Sequence, residues 1–173
     1  MKTQNFGGEM LEALNEEALK GLYREHLSLL KEKCENALKK CELDAFIIAS
    51  GQIHMKFLDD QSYPFQVNPH FLHFVPLQNH PNSFIFFNPE RETRPTLLYF
   101  AADDFWHKPP ASPSGFWTSE FNIKLIKNLD EAKAFFKEKV QNINCAYIGE
   151  GVELVFSEKE LIGHQKGYPA ACT

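Results

Sequence analysis

The residues with the greatest chemical capacity fall in three local clusters. The first is His54-Met55-Lys56-Phe57-Leu58-Asp59-Asp60, which sets an imidazole near two adjacent carboxylates. Such a set can bind a metal or move protons. One His with two adjacent Asp matches no established ligand spacing, however, and in an extended segment the two Asp side chains point to opposite sides. Spacing alone therefore favours capping and turn formation. The second cluster is Asp103-Asp104-Phe105-Trp106-His107. Acid, aromatic and imidazole in a loop after a strand could line a pocket; a strand-ending turn anchored by Trp106 fits equally well. The third is His70, His73 and His80. His70 and His73 could bind zinc only with further ligands. Nothing nearby in the sequence supplies them, so solvated or capping histidines are expected.

Other chemical signatures are missing. The sequence holds no G-x-S-x-G, no phosphate loop, no G-x-G-x-x-G and no H-E-x-x-H. Its cysteines, Cys34, Cys41, Cys145 and Cys172, form no C-x-x-C pair. Cys34 and Cys41 fall on one face of an expected helix, which suits small apolar filler in a reducing compartment rather than a structural zinc site. The net charge of −5, with no strongly basic segment, argues against a nucleic-acid partner. The longest apolar runs, Ala45–Ala49 and Phe84–Phe87, are strand-sized, far short of the roughly 20 residues of a membrane helix. Residues 1–8 lack the apolar stretch of a secretory signal. A cytoplasmic chain without a membrane partner is expected.

These clusters must be held by a framework, and 173 residues suffice for one domain with a sizeable core. The 16 Phe predict that phenylalanine dominates that core. Residues 9–20 read as a short helix or two, N-capped at Asn15 and interrupted by Gly21. From Leu22 onward, Tyr23, Leu27, Leu30, Cys34, Leu38 and Cys41 recur at steps of three or four, the stripe of a helix lying on a core. Ala45–Ala49 reads as a strand buried on both faces. Ser83–Phe87 and Thr96–Phe100 read as an antiparallel hairpin. Asn122–Ile126, a helix N-capped by Asp130 and running to about Gln141, and Cys145–Gly149 read as a βαβ unit with a parallel pair. The fold class expected is α/β, with a mixed sheet flanked by helices, parallel at one side and a hairpin at the other. Two irregular stretches, 50–81 and 101–119, interrupt the pattern and are candidates for function.

The irregular stretches carry a resemblance. Ser50-Gly51, Phe57-Leu58-Asp59-Asp60, Tyr63-Pro64-Phe65, Val67-Asn68-Pro69 and Phe71 occur in that order. Tyr99-Phe100, Asp104-Phe105-Trp106-His107, Phe116-Trp117 and Ala146-Tyr147-Ile148-Gly149-Glu150 follow. Leu22-Tyr23, His26 and Leu43-Asp44 precede them. Each motif is short, but together they resemble the start of the bacterial Xaa-Pro dipeptidases (proline dipeptidases). The resemblance implies a creatinase/prolidase-type amino-terminal domain. In that family it precedes a larger "pita-bread" domain, where two Asp, one His and two Glu bind two divalent metal ions, usually manganese. A metal-bridging hydroxide there attacks the bond before a carboxy-terminal proline. The matched residues contain none of these ligands, so the resemblance implies no catalytic residue and no metal site in this chain.

It also implies a role for the loops. In the family this domain contributes to a homodimer and helps close the neighbouring subunit's active site. Carried over residue by residue, Asp60 and Trp106 would stand in that pocket. Trp106 would supply a rigid apolar wall and Asp60 a carboxylate for a substrate ammonium. Tyr63 and His107 would line the pocket or support its loops. The expected organisation is a helical extension over 1–21, the family domain over 22–150 and a divergent tail over 151–173. The tail lacks the family's Asn-Pro and Arg-x-x-Lys segments, so a truncated or frameshifted reading frame is expected. The leading expectation is a non-catalytic dipeptidase domain, partnered with itself or with a full-length dipeptidase. A stand-alone interaction module and an independent small-molecule binder are the alternatives.

Overall fold

Three strands owe their position to runs of apolar residues with no polar face: Ala-Phe-Ile-Ile-Ala, Phe-Ile-Phe-Phe and Thr-Leu-Leu-Tyr-Phe. In the computed structural model, which describes residues 6–58, 60–102 and 112–156, with side chains from residue 15 on apart from that of Leu154, these runs are β1 (Ala45–Ala49), β2 (Phe84–Phe87) and β3 (Thr96–Phe100). They form the centre of a five-stranded sheet completed by β4 (Asn122–Ile126) and β5 (Cys145–Ile148), in the order β4-β3-β2-β1-β5. Because side chains alternate across a strand, each central strand feeds two cores. Ile47, Phe84, Phe86 and Leu98 face one side, and Phe46, Ile48, Ile85 and Phe87 the other.

Helix α1 (Phe6–Lys40) and the short α2 (Pro69–Phe74) cover the second face through Leu27, Leu38, Phe71 and Phe74. Helix α3 (Leu129–Lys139) covers the first through Ala132, Phe135 and Phe136, and the Phe136 ring packs edge-on against Phe84 at 5.6 Å. The mixed α/β sheet between helices, with a phenylalanine-rich interior, is the architecture expected from the sequence.

Three details differ from expectation. Gly21 does not interrupt α1, and Asn15 does not cap it; the helix runs unbroken for 35 residues. Glycine in a helix costs only about 1 kcal/mol against alanine, less than the stripe that starts at Tyr23 returns by packing. The helix stops where Glu42 takes a left-handed φ of 55°, with the Leu43 N–H donating to the Leu38 carbonyl at 2.9 Å. Second, the cap of α3 is Asn128, not Asp130: its side chain accepts from the Glu131 N–H at 3.0 Å, while Glu131 accepts from the Lys127 N–H at 3.2 Å. Third, β4 and β5 do not pair. Each runs parallel to a different neighbour, β4 to β3 and β5 to β1, with antiparallel pairing confined to the centre. The parallel pairs therefore sit at both edges, and α3 joins strands at opposite edges of the sheet. Among the described residues, no helix is long and apolar enough to cross a membrane.

Candidate functional site

β1 and β5 are parallel neighbours, so their carboxyl ends lie side by side, the place where open α/β sheets leave room for ligands. Here the chain is held by a small set of polar bonds. The N–H of the buried Ser50 donates to the Ser83 carbonyl, its own carbonyl accepts from the Asn68 N–H, and its Oγ accepts from the Ser83 N–H at 3.0 Å. Asn68 donates from Nδ2 to the Ala49 carbonyl at 3.0 Å and accepts from the His70 N–H to start α2. Gly149, at φ 99°, passes so close that a Cβ there would stand 2.3 Å from Asn68 Nδ2 and 2.9 Å from the Ala49 carbonyl oxygen. Ser50, Asn68 and Gly149 come from three separate sequence motifs, and their meeting explains why each motif needs its residue type.

Between Gly51 and Asn68 the chain makes a narrow hairpin. Met55 and Ser62 form its bridge, the Lys56 N–H donates to the Gln61 carbonyl at 2.9 Å, and the Tyr63 N–H donates to the His54 carbonyl at 2.8 Å. Its tip carries Phe57 and Leu58, which are 89% and 92% exposed, and Leu58 adopts a left-handed φ of 54°. Asp60 follows on the returning arm and is exposed, as is Tyr63 at the base. The His54 imidazole donates from Nε2 to Glu150 at 3.1 Å, linking the hairpin base to the end of β5. A cleft of about 480 Å³ lies behind this link, lined by His54, Tyr63, Asn68, Gly149 and Glu150 among others.

The first sequence cluster is thus divided. His54 turns to Glu150, Asp60 stands in solvent, and Asp59 lies outside the described residues. The third cluster also separates. His70 and His73 are neighbours on α2, their ring centroids 6.5 Å apart, and the His73 carbonyl accepts from His26 Nε2. His80 instead hydrogen-bonds through Nε2 with the Tyr99 hydroxyl, while its Nδ1 is buried and has no partner among the described residues. Burial lowers the His80 pKa and raises that of Tyr99. Burial, reinforced by Asp44, pushes the Cys145 thiol up, while Cys34 is raised by its own burial and then by Glu35. These cysteines act as apolar filler, and Cys34, Cys41 and Cys145 are free thiols. Among the described residues, no three His, Cys, Asp or Glu side chains converge to hold a metal.

Trp106 and His107 lie outside the described residues. The last described residue before them, Ala102, continues from β3, which runs in the same direction as β1 because both pair antiparallel with β2. The chain after β3, at Ala101 and Ala102, therefore leaves the sheet at the same end as the hairpin. Sequence reasoning missed Glu150 as the partner of His54; the signal was its place beside Gly149, but only the β1–β5 pairing reveals the contact.

Fold and site together define a mixed-sheet α/β domain that presents loops at one end of its sheet. The family model "Xaa-Pro dipeptidase, N-terminal domain" matches residues 21–165, and the chain belongs to that family. It is similar to the Xaa-Pro dipeptidase of Shewanella piezotolerans, 38% identical over 138 residues, 80% of this chain and 30% of that protein. The Stenotrophomonas maltophilia protein of the same name is 38% identical over 129 residues, covering 75% of this chain and 28% of its own length. That of Shewanella putrefaciens is 34% identical over 149 residues, 86% of this chain and 32% of its own. The chain spans about 30% of the length of the curated relatives it matches.

Proposed function

We propose that this chain is the non-catalytic amino-terminal domain of a proline dipeptidase and that hairpin 54–63 completes the substrate pocket of a neighbouring subunit. One observation carries the reading. A hydrogen-bonded hairpin holds two large apolar side chains, Phe57 and Leu58, almost wholly in water. Burying a side chain of this size against a partner contributes about 1.5–3 kcal/mol, so the tip is suited to a contact that the isolated domain does not make.

In this reading Phe57 and Leu58 anchor the hairpin on the second subunit. Asp60, two residues beyond Leu58, then offers its carboxylate to the ammonium of an Xaa-Pro dipeptide. Trp106 supplies an apolar wall from the loop after β3, and Tyr63 and His107 hold the two loops. The partner is a second copy or a full-length dipeptidase, in the cytoplasm. The family's two divalent ions, manganese among them, would be held by the rest of the enzyme. The described residues do not gather a donor set for them, so no step on the metal is assigned to this chain. The organisation that accompanies this reading is a helical extension over 1–21, the family domain over 22–150 and a tail over 151–173.

Incubating the purified chain with Leu-Pro and manganese tests the first half of the proposal. No free proline is expected; turnover that copurifies with the chain would refute it.

A further inference from the structure

Hairpin 54–63 is firmly built inside and lightly held outside. Within it, the Met55–Ser62 bridge and the bonds from Lys56 to Gln61 and from Tyr63 to His54 join the two arms. Toward the body, Ile53, Met55 and Tyr63 are exposed, and the cleft of about 480 Å³ lies behind the base. The outgoing arm leaves from Gly51, at φ 110°, where the absence of a Cβ gives the backbone its widest freedom. Just below, the chain is fixed by the Asn82 N–H on the Gly51 carbonyl and the Asn68 N–H on the Ser50 carbonyl, both at 2.9 Å. A unit of this kind takes its pitch from the side-chain bonds at its base. One such bond joins His54 Nε2 to Glu150 at 3.1 Å, across 96 residues of sequence. Glu150 is the fixed side of that bond. Gly149 before it is packed against Asn68 and the Ala49 carbonyl, and the Gly151 N–H after it is held by the Glu153 carboxylate at 3.0 Å.

From this arrangement we infer that the His54–Glu150 pair is a proton-operated latch: it holds hairpin 54–63 against the end of β5 when the imidazole is charged and releases it when the imidazole is neutral. A charged imidazole gives a carboxylate a charge-assisted hydrogen bond; a neutral one gives a weaker bond, and only from the nitrogen that keeps its proton. Histidine crosses between these states within about pH 5–8. The neighbouring charges leave Glu150 as the carboxylate bonded to His54. Glu153 is engaged by the Gly151 N–H and by Gln52 Nε2 at 3.2 Å. On the hairpin, Lys56 donates to Gln61 Oε1 at 2.9 Å, Asp60 and the Tyr63 phenol are exposed, and Asp59 lies outside the described residues. The cleft wall at Gln66, Asn68 and Pro69 adds no charge. Both members of the pair are exposed, so the latch is modest, shifting the hairpin's balance by up to about fivefold, and salt weakens it. As a control on partner binding the latch rests on the role proposed for the hairpin; as a property of the isolated chain it does not.

Residual dipolar couplings of the backbone amides, measured on the full chain at about pH 5.5 and about pH 8, test this. In the unmodified protein the couplings of residues 54–63 should fit the alignment of the sheet at the lower pH. At the higher pH they should shrink, the ratio of released to latched hairpin rising by about two- to fivefold. Glu150→Gln should give the released values at both pH values. His54→Lys, which keeps a cation at the hairpin base, should give the latched values at both. Hairpin couplings that ignore pH, a pH response that survives Glu150→Gln, or a His54→Lys chain that stays released would each overturn the latch. The couplings are read without a partner, so their failure leaves the proposed function standing, whereas failure to bind a full-length dipeptidase removes that function and leaves the latch.

Discussion

Gly149 is where the two halves of the cleft touch. Its positive φ excludes most side chains, and the space where a Cβ would go is occupied by Asn68 Nδ2 and the Ala49 carbonyl. Gly149→Ala should therefore strain the backbone and break the Asn68–Ala49 bond together, destabilising the domain by about 1–3 kcal/mol in urea unfolding. His80 gives the pH dependence. Its pKa is lowered by burial from 6.5, so the unfolded chain binds the proton more readily than the folded one. The contribution is fully present above the unfolded value and is lost as pH falls through 6.5 toward the lower folded value. Protonation would place an N–H at Nδ1, where no acceptor stands among the described residues. Thermal unfolding across this acid range should show a falling midpoint that His80→Gln flattens; an identical slope in the variant would exclude His80 as the cause.

At the scale of elements, the sequence was most legible where a run was uniform. Ala45–Ala49, Thr96–Phe100 and Asn122–Ile126 are strands within the bounds read from their residue types, because apolar, β-branched and aromatic runs of this length have few other solutions. Pairing was not legible. The β4–β3 and β5–β1 ladders join segments distant in sequence, and hydropathy says nothing about which edge a strand takes. Gly21 misled for a related reason: its local propensity is poor, but the turns on either side decide the outcome. Gly21 has nothing within 4 Å of the site of a Cβ. Gly21→Ala should accordingly stabilise α1 by about 1 kcal/mol, seen as a higher unfolding midpoint. A drop would mean that the helix breaks there after all. The candidate site was legible only in part. Its motif residues stood in the sequence, yet Ser50, Asn68 and Gly149 make sense only once the sheet brings them together.

For the whole molecule, the unequal distribution of its surface matters most. The two faces of the sheet are closed by α1 with α2 and by α3, whereas the end where β1, β3, β4 and β5 finish carries loops. Hairpin 54–63 and the start of the loop toward Trp106 both leave from that end. A domain of this build offers a rigid sheet as the base and its loops as the contact, which suits a part that completes another subunit's pocket. The direct measurement is a binding titration of this chain against a purified full-length Xaa-Pro dipeptidase from the same cell. We expect saturable binding that Phe57→Ser with Leu58→Ser weakens at least about tenfold, while the folded spectrum stays unchanged. No binding, or binding indifferent to the hairpin tip, would contradict the account.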